Sequence, residues 1–178
     1  MSKLFIKTIK EVNDEELKQL NEAAIREFKT TLPPRMELVD RNFFLLFEGK
    51  RLLAMGQLIP IEPVFYKGEK FSILGIGAIV SNKKGKGYGR QVMTAIRTYL
   101  VSHDKTGVGF CGIYNKGFYE KCRFFVDANS SSRFVYKKGK KQVIGKDCVV
   151  HLDGSDRFME KVLSSPKGEI LVPCPPTW

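Results

Sequence analysis

The sequence is poor in the residues that build metal centres. Its two histidines, His103 and His151, stand alone, and none of its four cysteines, Cys111, Cys122, Cys148 and Cys174, falls in a CxxC pair, so no metal site is expected. No run approaches the 18 apolar residues of a membrane span, and the start, MSKLFIKTIKEVNDEEL, lacks the apolar core of a signal peptide. Together these absences read as a soluble, cytoplasmic protein with reduced thiols and no membrane partner. Acidic residues are scarce too: 19 Asp and Glu stand against 30 Lys and Arg, a net charge of +11. That balance favours phosphate-bearing partners but leaves the fold open. The basic residues are dispersed, and the densest run, VYKKGKKQVIGK, reads as a solvated hairpin turn. Nothing resembles an RNA-recognition motif, a zinc finger or a basic recognition helix, which argues against specific nucleic-acid binding.

What is present suffices for one domain: 178 residues, 43% of them hydrophobic, with no internal repeat and no long linker. Leu4 to Ile9 suits a strand, and Asn13 followed by Glu16 predicts a capping box opening a helix whose apolar face holds Leu17, Leu20, Ala24 and Phe28. The paired prolines of TTLPPRMELVDRN break that pattern. FFLLFEGKRLLAMGQLIPI predicts a hairpin turning at Glu48 to Arg51, and YKGEKFSILGIGAIV adds a third antiparallel strand. Val92, Ile96, Tyr99 and Leu100 share one helical face, GVGFCGIY reads as a buried strand, and NKGFYEKC as a short helix. Further strands follow, then a short helix in SDRFMEKVLSS and a last strand in EILVP.

Between the third strand and the second helix lies KKGKGYG. Glycines let a backbone approach an anion closely, successive N–H groups point inward, and a helix N-terminus adds partial positive charge; Lys84, Lys86 and Arg90 would reinforce it. The string is not a Walker A loop, and it follows antiparallel strands, whereas a dinucleotide fingerprint follows the first strand of a parallel unit.

Lys84-Gly85-Lys86-Gly87-Tyr88-Gly89 resembles the [RQ]xxGxG signature of the GNAT superfamily of acetyl-coenzyme A-dependent N-acetyltransferases, with lysine at the first position. FCGIYNKGFYEKCRFF is similar to that family's later strand-helix segment. The resemblance implies an α+β fold with a mixed, mostly antiparallel sheet flanked by helices, spanning residues 1–178 as a single domain, with 137–178 as a C-terminal extension. It implies acetyl-CoA as cosubstrate, bound by the backbone at Ile79 and by Lys84, Gly85, Lys86, Gly87, Tyr88, Gly89 and Arg90. It places Tyr119 at the family's general acid. Two positions depart from the pattern: Arg123 replaces a glycine, and Gly112 stands where many members carry a coenzyme-contacting asparagine, for which Asn115 is the substitute at hand.

A phenol with an ordinary pKa near 10 stays protonated at pH 7 and can protonate a departing thiolate. The general base is left unassigned among Glu37, Asp40, Glu48 and a water chain, and Cys111 reads as a small buried hydrophobe. A looser resemblance, carried by the hairpin, the apolar strand and the C-terminal tryptophan, links the chain to the aminoglycoside 2'-N-acetyltransferase branch and makes Glu37, Asp40 and Trp178 candidates for contact with the amine acceptor. An acidic cluster of Glu37, Asp40, Asp153 and Asp156 would suit a polycation. The alternatives are a peptide or protein amine as acceptor, or a non-catalytic domain binding coenzyme A, phosphate or nucleic acid; a homodimer stays open.

Overall fold

The computed structural model describes residues 1–138, 140–143, 147–165 and 167–173. In chain order these form β1 (Ser2–Thr8), α1 (Asp14–Phe28), β2 (Asn42–Glu48), β3 (Arg51–Tyr66), β4 (Glu69–Ser81), α2 (Tyr88–Ser102), β5 (Gly107–Cys111), α3 (Lys116–Lys121), β6 (Phe125–Asp127), β7 (Phe134–Lys138), β8 (Lys140–Val143), β9 (Cys148–Leu152), α4 (Phe158–Leu163) and β10 (Ile170–Val172). They fall into two compact units, Met1–Ile59 with Gly77–Ile96, and Pro60–Ile76 with the described residues from Arg97 onward.

In the first unit, β1, β2 and the first half of β3 make an antiparallel meander, with Ser2 opposite Glu48 and Asn42 opposite Leu58. The β2–β3 turn contains Gly49 at φ +57°, where a residue without Cβ is least strained. The capping box on α1 forms in both directions: Glu16 N–H donates to Asn13 Oδ1 at 2.9 Å, and Asn13 N–H donates to Glu16 Oε2 at 3.1 Å. Leu20, Ala23 and Ala24 of α1 bury against Phe43, Leu45, Leu52, Met55 and Val80. Phe28 is 47% exposed, a correction to its expected place on the buried face. The helix ends one residue later at Lys29, whose left-handed φ of 63° turns the chain away.

Gly56 explains how α2 seats in this unit. A Cβ there would lie 2.6 Å from Ile79 Cδ1, 2.9 Å from Val92 Cγ1 and 3.0 Å from Ile96 Cδ1, so the strand leaves room for α2 only because it has no side chain at this point.

In the second unit the strand order is β6-β9-β5-β4-β3-β10-β7-β8. Most pairs are antiparallel; β4 with β5 and β10 with β7 are parallel. The β4–β5 register runs from Leu74 to Ile76 against Gly107 to Gly109. A Cβ on Gly109 would sit 2.6 Å from the Ile76 carbonyl oxygen, so the two backbones meet at contact distance. The expected helix in SDRFMEKVLSS is α4, and the expected final strand is β10.

Candidate active site

The glycine loop belongs to the first unit. It leaves β4, in which Ala78 adopts φ +49°, a left-handed conformation unusual for a residue with a Cβ in the middle of a strand. Ile79, half-buried, turns its side chain over Gly56. The end of β4 is tied down by Asn82: its N–H donates to Leu53 O at 2.8 Å, its Nδ2 donates to Leu52 O at 2.6 Å, and its Oδ1 accepts from the Arg26 guanidinium.

From this fixed end the loop runs exposed from Lys83 to Gly87. Gly85 and Gly87 have φ of +80° and +74°, and a Cβ on either would meet no atom within 4 Å. The first intrahelical bond of α2 runs from Gln91 N–H to Gly87 O at 3.1 Å, so the N–H groups of the first turn open onto the loop. The conformation and the space fit a close anion approach. Among the basic residues, Lys84 pairs with Glu27 at 3.1 Å, whereas Lys86 and Arg90 are exposed with no ion pair among the described residues. Tyr88 is half-buried and Gly89 buried in the first turn of α2.

Tyr119 belongs to the second unit, on α3, half-buried, with its ring edge-on to Phe118 at 5.1 Å. Burial pushes its phenol above the ordinary value near 10, and the neighbouring Cys111 and Cys122 push in the same direction. It is therefore protonated throughout the neutral range. Cys111 is buried on β5 and faces Cys148 on β9. Its thiol is pushed up to about 12, by burial first and then by Cys148, which makes it a poor nucleophile.

The end of α3 carries the departure noted at Arg123. Arg123 N–H donates to Glu120 O at 2.9 Å and Phe124 N–H to Tyr119 O at 3.2 Å, the two bonds of a Schellman motif. Such an ending calls for a left-handed residue after the cap, and Arg123 adopts it at φ +64°. The backbone shape that a glycine would give is kept with an arginine in place.

The second departure is filled from elsewhere in the chain. A Cβ on Gly112 would lie 3.4 Å from Asp147 Oδ2, so a carboxylate arriving just before β9 sits beside the position where a side chain at 112 would start. Asp147 also acts on Cys111, the neighbour of Tyr119, and is exposed. Sequence reasoning did not find it, because the contact spans 35 positions and is created by the pairing of Cys111 with Cys148. Asn115 is exposed in the turn before α3, its N–H donating to Gly112 O at 2.9 Å.

The acceptor-side residues fall in both units. Glu37 and Asp40 are both exposed, in and just after a 3₁₀ turn at Arg35–Leu38. Asp153 accepts from Met159 N–H and Glu160 N–H, each at 2.8 Å, and Asp156 Oδ1 accepts from Thr106 Oγ1 at 2.5 Å and from Phe158 N–H at 3.1 Å. These two carboxylates hold the start of α4. Trp178 lies outside the described residues.

No family model matches the sequence, and no curated protein matches it. Solved structures do match in fold. An acyl-CoA N-acyltransferase from Pseudomonas aeruginosa superposes with a TM-score of 0.56 at 18% identity, covering 72% of this chain and 91% of that one. Escherichia coli ElaA gives 0.58 at 14%, covering 85% and 98%. A conserved protein from Enterococcus faecalis gives 0.56 at 16%, covering 72% of this chain but only 33% of the larger protein. The chain thus has the acyl-CoA N-acyltransferase, or GNAT, fold expected from its glycine loop and its Tyr119 segment.

Proposed function

We propose that this chain is an N-acetyltransferase that moves an acetyl group from acetyl-CoA to a primary amine by direct attack. The observation that carries the reading is the loop after β4: two left-handed glycines with open space at their Cβ positions, at the start of α2. Acetyl-CoA would supply the activated acetyl thioester. The amides from Gly85 to Gly89, with Lys84, Lys86 and Arg90, hold its pyrophosphate; the backbone at Ile79 pairs with the pantetheine arm; Asn115 adds a polar contact. The Lys84 ammonium also pairs with Glu27, an exposed and individually weak contact.

An ordinary alkylamine, with a pKa of about 10.4, is only about one part in a thousand neutral at pH 7. The ammonium must lose one proton to free its lone pair before attack and the nitrogen a second as the amide forms, while the departing thiolate gains one, so the net reaction releases one proton to solvent. Tyr119 donates to the thiolate, a role its persistently protonated phenol suits. Asp147 receives the proton from the attacking nitrogen; it is the exposed carboxylate beside Gly112 at the end of β5, and Cys111 of the same strand adjoins Tyr119. Glu37, Asp40 and Trp178 are the candidate contacts for the acceptor.

The test is a panel of amines (aminoglycosides, polyamines, amino acids and peptides) with free thiol release from acetyl-CoA as readout, beside calorimetric titration of acetyl-CoA. Amine-dependent thiol release supports the reading. Tight binding of acetyl-CoA without turnover on any amine would leave a coenzyme-binding domain, and absence of binding would overturn the assignment altogether.

A further inference from the structure

In the first unit the glycine loop spans two fixed points. Its far end is the first turn of α2, which core packing holds: Val92, Met93 and Ile96 are buried, and Val92 and Ile96 lie over Gly56. Between the ends, Lys83 to Gly87 is exposed, and a Cβ at Gly85 or Gly87 would meet no atom within 4 Å, so packing does not fix its course there. Glycines leave such a span many backbone paths. Its shape therefore depends on how its near end is held, and that end is Asn82.

The Asn82 N–H bond to Leu53 O is main chain, and any residue but proline could make it. The side chain adds two more anchors. Nδ2 donates to Leu52 O on β3 at 2.6 Å, and Oδ1 accepts from the guanidinium of Arg26 on α1. A planar amide suits both tasks, since it offers a donor on one side and an acceptor on the other; aspartate would keep the acceptor for Arg26 but have no donor for Leu52 O. The anchorage itself is firm. Leu52 and Leu53 are buried, and Leu52 N–H donates to Gln19 Oε1 of α1 at 2.8 Å. Ser81 Oγ donates to Lys83 O at 3.0 Å, bridging across Asn82 into the loop.

We infer that Asn82, supported by Arg26, is a positioning residue for the coenzyme pyrophosphate: it acts by fixing where the loop N–H groups stand, not by touching the phosphate. The inference rests on the acetyl-CoA reading above. Successive N–H groups bind an anion only when they converge on it, and a misplacement of about 1 Å is costly. Arg26 is exposed, which makes its bond the weaker of the two side-chain anchors.

The experiment is a calorimetric titration of acetyl-CoA into the wild type, Asn82→Ala, Arg26→Ala and the double variant, each held well below its Tm, with phosphorus NMR of acetyl-CoA bound at saturation. Asn82→Ala should bind about five- to tenfold more weakly and Arg26→Ala about two- to threefold. The double variant should bind about as weakly as Asn82→Ala alone, because Arg26 acts through the amide. In the variant complexes the pyrophosphate resonances should move part of the way back to their free-solution positions, a change that lost stability alone does not produce. Arg26→Ala, at an exposed helix position, preserves the fold and is read by the same two measurements. Undiminished affinity in the folded variants, pyrophosphate resonances identical to those of the wild type, or additive losses in the double variant would overturn the inference while wild-type binding stands. Absence of acetyl-CoA binding by the wild type would instead overturn the reading on which it rests.

Discussion

Replacing Arg123 by glycine should stabilise the protein. Arg123 holds φ +64° because the Schellman bonds ending α3 require a left-handed residue there. For a residue with a Cβ that conformation costs about 1–2 kcal/mol. Glycine removes the cost but adds freedom to the unfolded chain, an offset of about 0.4–1 kcal/mol. The net gain is about 0.5–1 kcal/mol; at about 2–4 °C per kcal/mol for a chain of this size, Tm should rise by about 1–4 °C. The contact from Arg97 Nε, at 3.4 Å, goes to the carbonyl of residue 123 and survives the change. Urea unfolding and scanning calorimetry read the effect, with Arg123→Ala as the control that removes the guanidinium but keeps the Cβ. If Arg123→Gly proves no more stable than Arg123→Ala, the strain argument is refuted, and the arginine side chain must contribute something that its exposed position does not suggest.

The loop, the acid, the base and the sheet each give a further test. Gly87→Val should stay folded, since nothing lies within 4 Å of its Cβ, and lose about 1–2 kcal/mol to left-handed strain; calorimetry should show acetyl-CoA affinity down about tenfold, and undiminished affinity in a folded variant would contradict the loop assignment. Tyr119→Phe should lower single-turnover acetyl transfer by about 10²-fold; because its phenol lies above 10, wild-type activity should show no loss of the acid form below pH 10. Asp147→Asn should slow acetyl transfer at neutral pH by about 10²-fold and recover as rising pH supplies neutral amine, with Asp147→Glu retaining part of the rate; a pH profile parallel to wild type would remove Asp147 from proton transfer. Gly109→Ala should cost about 1–3 kcal/mol of stability in urea unfolding, because the Ile76 carbonyl at 2.6 Å is backbone and cannot rotate aside; a neutral effect would mean that β4 and β5 separate easily.

Local chemistry was legible in the sequence wherever it rests on neighbours a few positions apart. Asn13 and Glu16 announce their capping box, and Glu48 to Arg51 their turn, because each device is closed by residues three or four apart. The glycine loop could be placed for the same reason. Ala78 and Arg123 gave no warning of their left-handed backbones, since only glycine, asparagine or aspartate advertises that conformation. Asp147 beside Gly112, and Phe125 over His151, depend on strand register, which no local pattern encodes. The basic turn expected in VYKKGKKQVIGK does join two paired strands, with Lys138 opposite Lys140, although Gly139 itself lies outside the described residues.

The acids bear directly on what the acceptor is. A polycation would call for several free carboxylates, and the sequence offered Glu37, Asp40, Asp153 and Asp156. Asp153 accepts an N–H with each oxygen at the start of α4, and Asp156 Oδ1 accepts from Thr106 and Phe158, so both are held in place by the fold and have only their remaining lone pairs to offer a substrate. Glu37 and Asp40 remain, both exposed in the first unit, where charge pairs are individually weak. We propose that acceptor binding then rests on apolar contact and one or two hydrogen bonds more than on matching several charges. That requirement favours an acceptor with a single amine on an apolar body over an aminoglycoside, and it is the physical reason to begin the amine panel with monoamines.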